Sequence, residues 1–152
     1  MASVSPGPTS GQPIEDESEG LLRRVPPVFY PAGKPRERPD FNAFLPRRWQ
    51  SEDDPGDSTG LSVTREKFAA ADQVALHPTK GVRQTVVRLT VEQVRRVGLS
   101  AIEDPIAGNP GHALIPQLNS IDYKKREMKN RIKEWAQRLA LQECEIVYDE
   151  DF

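Results

Sequence analysis

The apolar positions of this chain fall into three regimes. From Met1 to Gly20 there is almost nothing to bury: the stretch is Ser, Pro and Gly with Glu15, Asp16, Glu17 and Glu19. Such a composition cannot offset the entropy of ordering it, which predicts a disordered, Pro-rich tail over residues 1–20. From Leu21 to Trp49 large apolar residues return, but prolines and arginines break every period. From Gly60 to Tyr148 strand and helix periods are sustained. Ten of the 14 prolines precede Gly60. The expected organisation is therefore a tail (1–20), a docking arm and acidic linker (21–59), a folded domain (60–148) and an acidic end (149–152).

Within 60–148 the pattern predicts a compact α+β (or small α/β) domain, with a mixed sheet, two short helices and one long C-terminal helix. Leu61-Ser62-Val63 reads as a short strand, after which Thr64 caps a helix to about Leu76 with Phe68, Ala71 and Ala75 on one face. Val82 to Leu89 alternates as a strand. Thr90-Val91-Glu92-Gln93 matches a capping box, and Val91, Val94 and Val97 give the helix its apolar side. Gly98 stops that helix in a left-handed conformation. Leu99 to Ile102 reads as the next strand. Asn109-Pro110-Gly111-His112 carries type II turn chemistry ahead of a strand HALIPQL. From Ser120 to about Gln142, Met128, Ile132, Trp135 and Leu139 form a helical stripe that predicts a single helix. Glu145 to Tyr148 closes the chain as a strand.

The middle regime adds a different expectation. Val28-Phe29-Tyr30 fits a short edge strand, and Asp40 can cap one helical turn carrying Phe41, Phe44 and Leu45 before Pro46. Arginines interleave with these aromatics. That combination suits an extended arm docked on its own domain or on a partner; it also suits single-stranded nucleic acid. Acidic stretches on both sides weaken the nucleic-acid reading, as does a formal net charge of −2.

Composition trims the candidates further. With one cysteine, Cys144, and two histidines, no intramolecular disulfide and few zinc-site patterns are possible, so no metal or cofactor is implied. No apolar run approaches the ~20 residues that span a bilayer, and the N-terminus does not read as a signal peptide. The expectation is a soluble, cytoplasmic protein without a membrane partner. There is no Walker loop, dinucleotide fingerprint, HExxH or CxxC.

His112 is the leading candidate for chemistry, because it follows a glycine-proline loop on a rigid scaffold and histidine side chains exchange protons near neutrality. Glu103 and Asp104, just before the loop, can pair with it for acid/base work or an NAD-type ribose contact, or stand as solvated turn carboxylates; a histidine merely bonded to neighbouring backbone is the competing reading. A Cys144–His112 nucleophile pair is disfavoured by Glu143 and Glu145 beside the thiol. The expected function is a non-enzymatic interaction or accessory module that engages a protein partner through the arm and the C-terminal helix, with Phe41, Phe44, Trp49, Tyr123 and Met128 as contact residues. The alternatives are a small enzyme acting on a nucleotide-like substrate at the His112 loop, for instance a transferase, and a nucleic-acid binder using the arm.

Overall fold

The protein is described here from a computed structural model covering residues 11–26, 39–48, 51–52, 56–77 and 81–148. Its framework is a six-stranded sheet: β1 (Gly20–Val25), β2 (Leu61–Arg65), β3 (Thr85–Thr90), β4 (Ile102–Glu103), β5 (His112–Ile115) and β6 (Glu145–Tyr148). The spatial order is β4-β5-β2-β1-β3-β6, and every neighbouring pair is antiparallel. Helices α1 (Ala71–Ala75), α2 (Val91–Val97), α3 (Ser120–Tyr123) and α4 (Arg126–Arg138) complete the α+β architecture, together with a 3-10 turn at Phe41–Phe44.

The expected domain boundary at Gly60 does not divide the sheet. β1 precedes it, yet pairs with β3 along its whole length and with β2 on its other side. Leu21, Leu22 and Val25 are buried, so apolar residues face both sides of the strand and the two-residue alternation is lost, as happens where a strand is covered on both faces. The tail expected over residues 1–20 also differs from Gly11 onward. The Glu103 carbonyl accepts from the Gly11 amide at 2.6 Å, the Glu103 amide donates to the Gln12 carbonyl at 2.8 Å, and the Ile14 amide donates to the Ala101 carbonyl at 3.0 Å. These bonds lay residues 11–14 along β4, and Ile14 is buried. Residues 1–10 and the expected strand Val28-Phe29-Tyr30 lie outside the described residues.

One face of the sheet is closed. Leu21, Val25, Leu61, Val63, Val87, Leu89, Ala113 and Ile115 form a single core with Phe44, the three valines of α2, and Ile132, Ala136, Leu139 and Ala140 of the C-terminal helix. The capping box of α2 is present: Thr90 Oγ1 accepts from the Gln93 amide at 3.1 Å, and Gln93 Oε1 accepts from the Thr90 amide at 2.8 Å. Gly98 ends that helix at φ 104°, a conformation that glycine adopts without steric cost. The opposite face is covered only in part. There α1 packs Ala71, Val74 and Ala75 against Leu22 and Val86, with Val147 and Tyr148 of β6 beside them.

Several expected elements differ in extent; the strand expected over Leu99–Ile102, for one, is only Ile102–Glu103. Thr64 and Arg65 do not start a helix, because they continue β2 opposite Leu22 and Leu21. Helix α1 begins only at Ala71, where Gln73 Oε1 accepts from the Ala70 amide at 3.0 Å. The long C-terminal helix is interrupted near its start. Asn119 Oδ1 caps α3 by accepting from the Asp122 amide at 2.8 Å, Lys125 is then extended (φ −81°, ψ 130°), and the helix resumes as α4. A π turn over Leu139–Glu143 carries it to Cys144, which is buried. Finally, Gly111 has no positive φ, so the turn at 109–112 is not type II. The positive φ belongs to Gly108 at 80°, inside a turn closed by the Asn109 amide on the Ile106 carbonyl at 3.0 Å. Gly111 is small for another reason: a Cβ there would lie 2.6 Å from Cβ of Phe68.

Among the described residues no helix is long and apolar enough to cross a membrane.

Candidate functional site

Alternation along β2 decides what the open part of the second face presents. Leu61, Val63 and Arg65 are buried toward the closed face, while Ser62 and Thr64 between them are half-buried on the other. In the register of β2 with β5, Thr64 lies opposite His112 and Ser62 opposite Leu114. His112 thus reaches Ser62 along the diagonal of the ladder, a distance long side chains can cover. Its Nε2 sits 3.1 Å from Ser62 Oγ. On the ring's other side, Nδ1 lies 3.0 Å from Asp104 Oδ2 and 3.0 Å from the Asp104 carbonyl oxygen. Asp104 is held in turn, since its amide donates to the His112 carbonyl at 3.0 Å.

This network fixes the proton. A carboxylate and a carbonyl can only accept, so Nδ1 must carry the hydrogen that both receive. In the neutral ring Nε2 is then an acceptor to which the hydroxyl of Ser62 can donate. The order Ser62–His112–Asp104 is that of a general-base relay: hydroxyl, imidazole, orienting carboxylate. Side-chain exposure is 15% for His112 and 30% for Asp104, so the relay sits in a wall rather than loose in solvent.

Two hollows meet at Ser62. The smaller, about 280 Å³, is bounded by Leu22, Arg24, Ser62, Thr64, Val74 and His112. The larger, about 490 Å³, is bounded by Arg23, Arg24, Arg47, Asp57, His77 and Gln84, with Ser62 again in its wall. Arg23, Arg24 and Ser62 line both.

The two arginines are anchored by carbonyls. Arg23 donates from Nε to the Ala43 carbonyl at 2.6 Å and from Nη1 to the Ser62 carbonyl at 2.8 Å. Arg24 donates from Nη1 to the carbonyls of Val74 and Leu76, each at 3.3 Å. Neither forms a salt bridge with a carboxylate among the described residues. Desolvation pulls the Arg23 guanidinium down to about 10; the Asp57 carboxylate opposes this, and neighbouring Arg24 and Arg47 add to it. Desolvation also lowers Arg24. Gln84 Oε1, in the wall of the larger hollow, is buried without a hydrogen-bond partner.

A third hollow, about 570 Å³, lies where the arm meets the start of the C-terminal helix, between Leu45, Pro46 and Arg48 on one side and Ser120, Tyr123, Lys124 and Lys129 on the other. Lys129 Nζ stands 5.3 Å from the centre of the Tyr123 ring, and burial pushes the Tyr123 hydroxyl up.

No family model, curated protein or solved structure matches this chain.

The residues anticipated from sequence divide sharply. His112 and Asp104 stand within hydrogen-bonding distance and are joined by Ser62, for which the sequence gives no signal, while Glu103 turns to Arg65 at 2.9 Å. Of the anticipated contact residues, Phe44 is fully buried in the closed core and cannot meet a partner. Phe41, Tyr123 and Met128 pack against that core while remaining partly exposed, and Trp49 lies outside the described residues. Arg23 and Arg24 belong to the stretch from Leu21 to Trp49, where the sequence predicts a docking arm. Two arginines inside GLLRRV, a segment otherwise apolar, were the available signal that the strand ran through a wall of polar hollows. Ser62 offered no comparable signal, because a serine on the outer face of a strand is ordinary. Among the described residues, no group of three or more His, Cys, Asp or Glu is arranged to hold a metal ion.

Proposed function

We propose that the protein is a small enzyme that holds an anionic, nucleotide-like substrate in the paired hollows at Ser62. The observation that carries this reading is the shared wall: Arg23 and Arg24, bonded to carbonyls among the described residues, adjoin the Ser62–His112–Asp104 relay. Arg24, taken partly out of water with no carboxylate bonded to it among the described residues, and Arg23, whose charge Asp57 offsets in part, leave positive charge that an incoming phosphate or carboxylate would complete. Gln84 borders the larger hollow, and its buried Oε1 would have to turn toward that hollow to accept from the exocyclic amine of a base or an amide of the ligand. The larger hollow falls in the size range of small-ligand pockets.

Direct titration tests it. Wild-type protein should bind a nucleoside diphosphate or inorganic pyrophosphate, Arg24→Gln should weaken binding about tenfold or more through loss of a charge-assisted bond, and Gln84→Leu should weaken the nucleotide but not pyrophosphate. Absence of binding to either ligand by the wild-type chain would defeat the reading.

The interaction-module reading keeps one specific observation in its favour. Arm and C-terminal helix meet at a hollow whose charged lining residues, Arg48, Lys124 and Lys129, are all cationic. An acidic segment of a protein partner fits that lining. Its core, however, lacks Phe44, which the fold itself consumes.

A further inference from the structure

We propose that Ser62 is a nucleophile that takes up the acyl group of an ester whose alcohol portion is the anionic group held by Arg23 and Arg24. This rests on the reading of the paired hollows given above and assigns the reacting atom and the bond broken. Ser62 Oγ attacks the ester carbonyl carbon, and its proton passes to His112 Nε2. The resulting tetrahedral oxyanion collapses with cleavage of the bond to the alcohol oxygen, which recovers the proton from Nε2. Water then attacks the acyl-serine, Nε2 again takes and returns the proton, and the carboxylic acid leaves with Ser62 restored. Nothing is oxidised or reduced.

The geometry supplies each part. The hydroxyl points its hydrogen at Nε2 because Asp104 fixes the tautomer on Nδ1. Asp104 acts through His112 and is a positioning residue. For the oxyanion the geometry offers the side chain of Arg24. Its Nη1 bonds anchor it to α1, while Nε and Nη2 have no protein partner among the described residues and the group lines the same hollow as Ser62. A guanidinium in a partly dehydrated wall stabilises developing negative charge far better than one in water.

The test is covalent labelling of the full chain with a fluorophosphonate, in which Ser62 Oγ displaces fluoride and His112 takes the proton. Intact mass and peptide mapping should show one adduct, on Ser62, absent in Ser62→Ala and formed at least about 100-fold more slowly in His112→Gln. An unlabelled Ser62 in the wild type, or equal labelling in His112→Gln, overturns the proposal. Should His112→Gln not fold, alkylation of Ser62→Cys by iodoacetamide decides instead. A thiol paired with the imidazole keeps reacting well below about pH 7, whereas a single titration near the ordinary thiol value of about 8.5 overturns it. Pyrophosphate binding with no label on Ser62 leaves the anion site standing and removes the nucleophile. Labelling of Ser62 without any anion binding removes the proposed substrate class.

Discussion

The two faces of the sheet are made from alternate residues of the same strands, yet they do different work. On the closed face Leu61 and Val63 join Phe44, α2 and the C-terminal helix in one apolar core. On the other, Ser62 and Thr64 meet His112 beside arginines, and α1 is too short to cover them. A single helical turn over β1 and β3 leaves the β2–β5 half of that face as a polar hollow. The lesson is that stability and chemistry are separated here by one residue of strand register. A slip of one position along β2 would exchange the two roles.

The sharpest way to break the comparison is to cut into the closed face. Phe44 has no exposed surface, so Phe44→Ala should cost about 3–5 kcal/mol, the range for a buried aromatic truncated in place. A denaturant melt checks it. A loss below about 1 kcal/mol would mean that the 3-10 turn is not part of the core and that the arm can lift off as a unit.

A slightly smaller loss is expected at the buried ion network on the sheet's margin. Arg65, 4% exposed, pairs with Glu19, 7% exposed, and with Glu103 at 2.9 Å. The hydrogen bond to Glu19 raises the Arg65 guanidinium above its ordinary value, against the opposing effect of burial. Glu19→Ala leaves that charge with one partner instead of two, and should destabilise by about 3 kcal/mol, the low end for breaking a buried pair. The same substitution tests residues 11–19 as part of the fold. If the midpoint of unfolding does not move, this segment does not belong with the closed face.

Gly111→Ala probes the border between the faces. Its new Cβ would stand 2.6 Å from Phe68 Cβ, too close for either atom. Cβ of Phe68 is fixed by its backbone and cannot rotate away, so the backbone must shift, and the expected cost is about 2–3 kcal/mol, the upper part of the range for overpacking. Thermal melting reads it.

How much of this was legible in sequence follows the range of the interactions. The capping box at Thr90 and Gln93, the stop at Gly98 and the strand at Glu145–Tyr148 are set by residues within one turn or one strand of each other, and they stand where the pattern put them. The 3-10 turn capped by Asp40 was legible for the same reason: Oδ1 accepts from the Asn42 amide, two residues away, at 2.8 Å. β1 was not, because burial on both faces erases alternation, and because its flanking prolines and internal arginines imitate a loop. The helix expected from Thr64 failed because pairing of Thr64 with His112 and Leu22 outweighed a local capping preference. His112 and Asp104 are eight residues apart and could be paired by inspection. Ser62 is 50 residues from His112, and only the register of β2 on β5 brings them together.

Ser62→Ala is the smallest change and the most informative about the open face. It removes one hydroxyl from a wall bounded by a hollow, and no apolar contact of the closed core is touched. His112 Nε2 loses its donor, but it faces the small hollow, where water can replace the hydroxyl, so no buried acceptor is left unsatisfied. The ring stays in place because Nδ1 keeps both bonds to Asp104. The net worth of a hydrogen bond under those conditions is about 0.5–1.5 kcal/mol, and the replaceable donor puts the expected cost at or below about 1 kcal/mol. Melting should therefore barely separate this variant from the parent. A cost of about 3 kcal/mol or more would show that the Ser62–His112 bond is sealed into the fold, would make the relay part of the scaffold, and would erase the distinction between a face that holds the protein together and a face that is free to react.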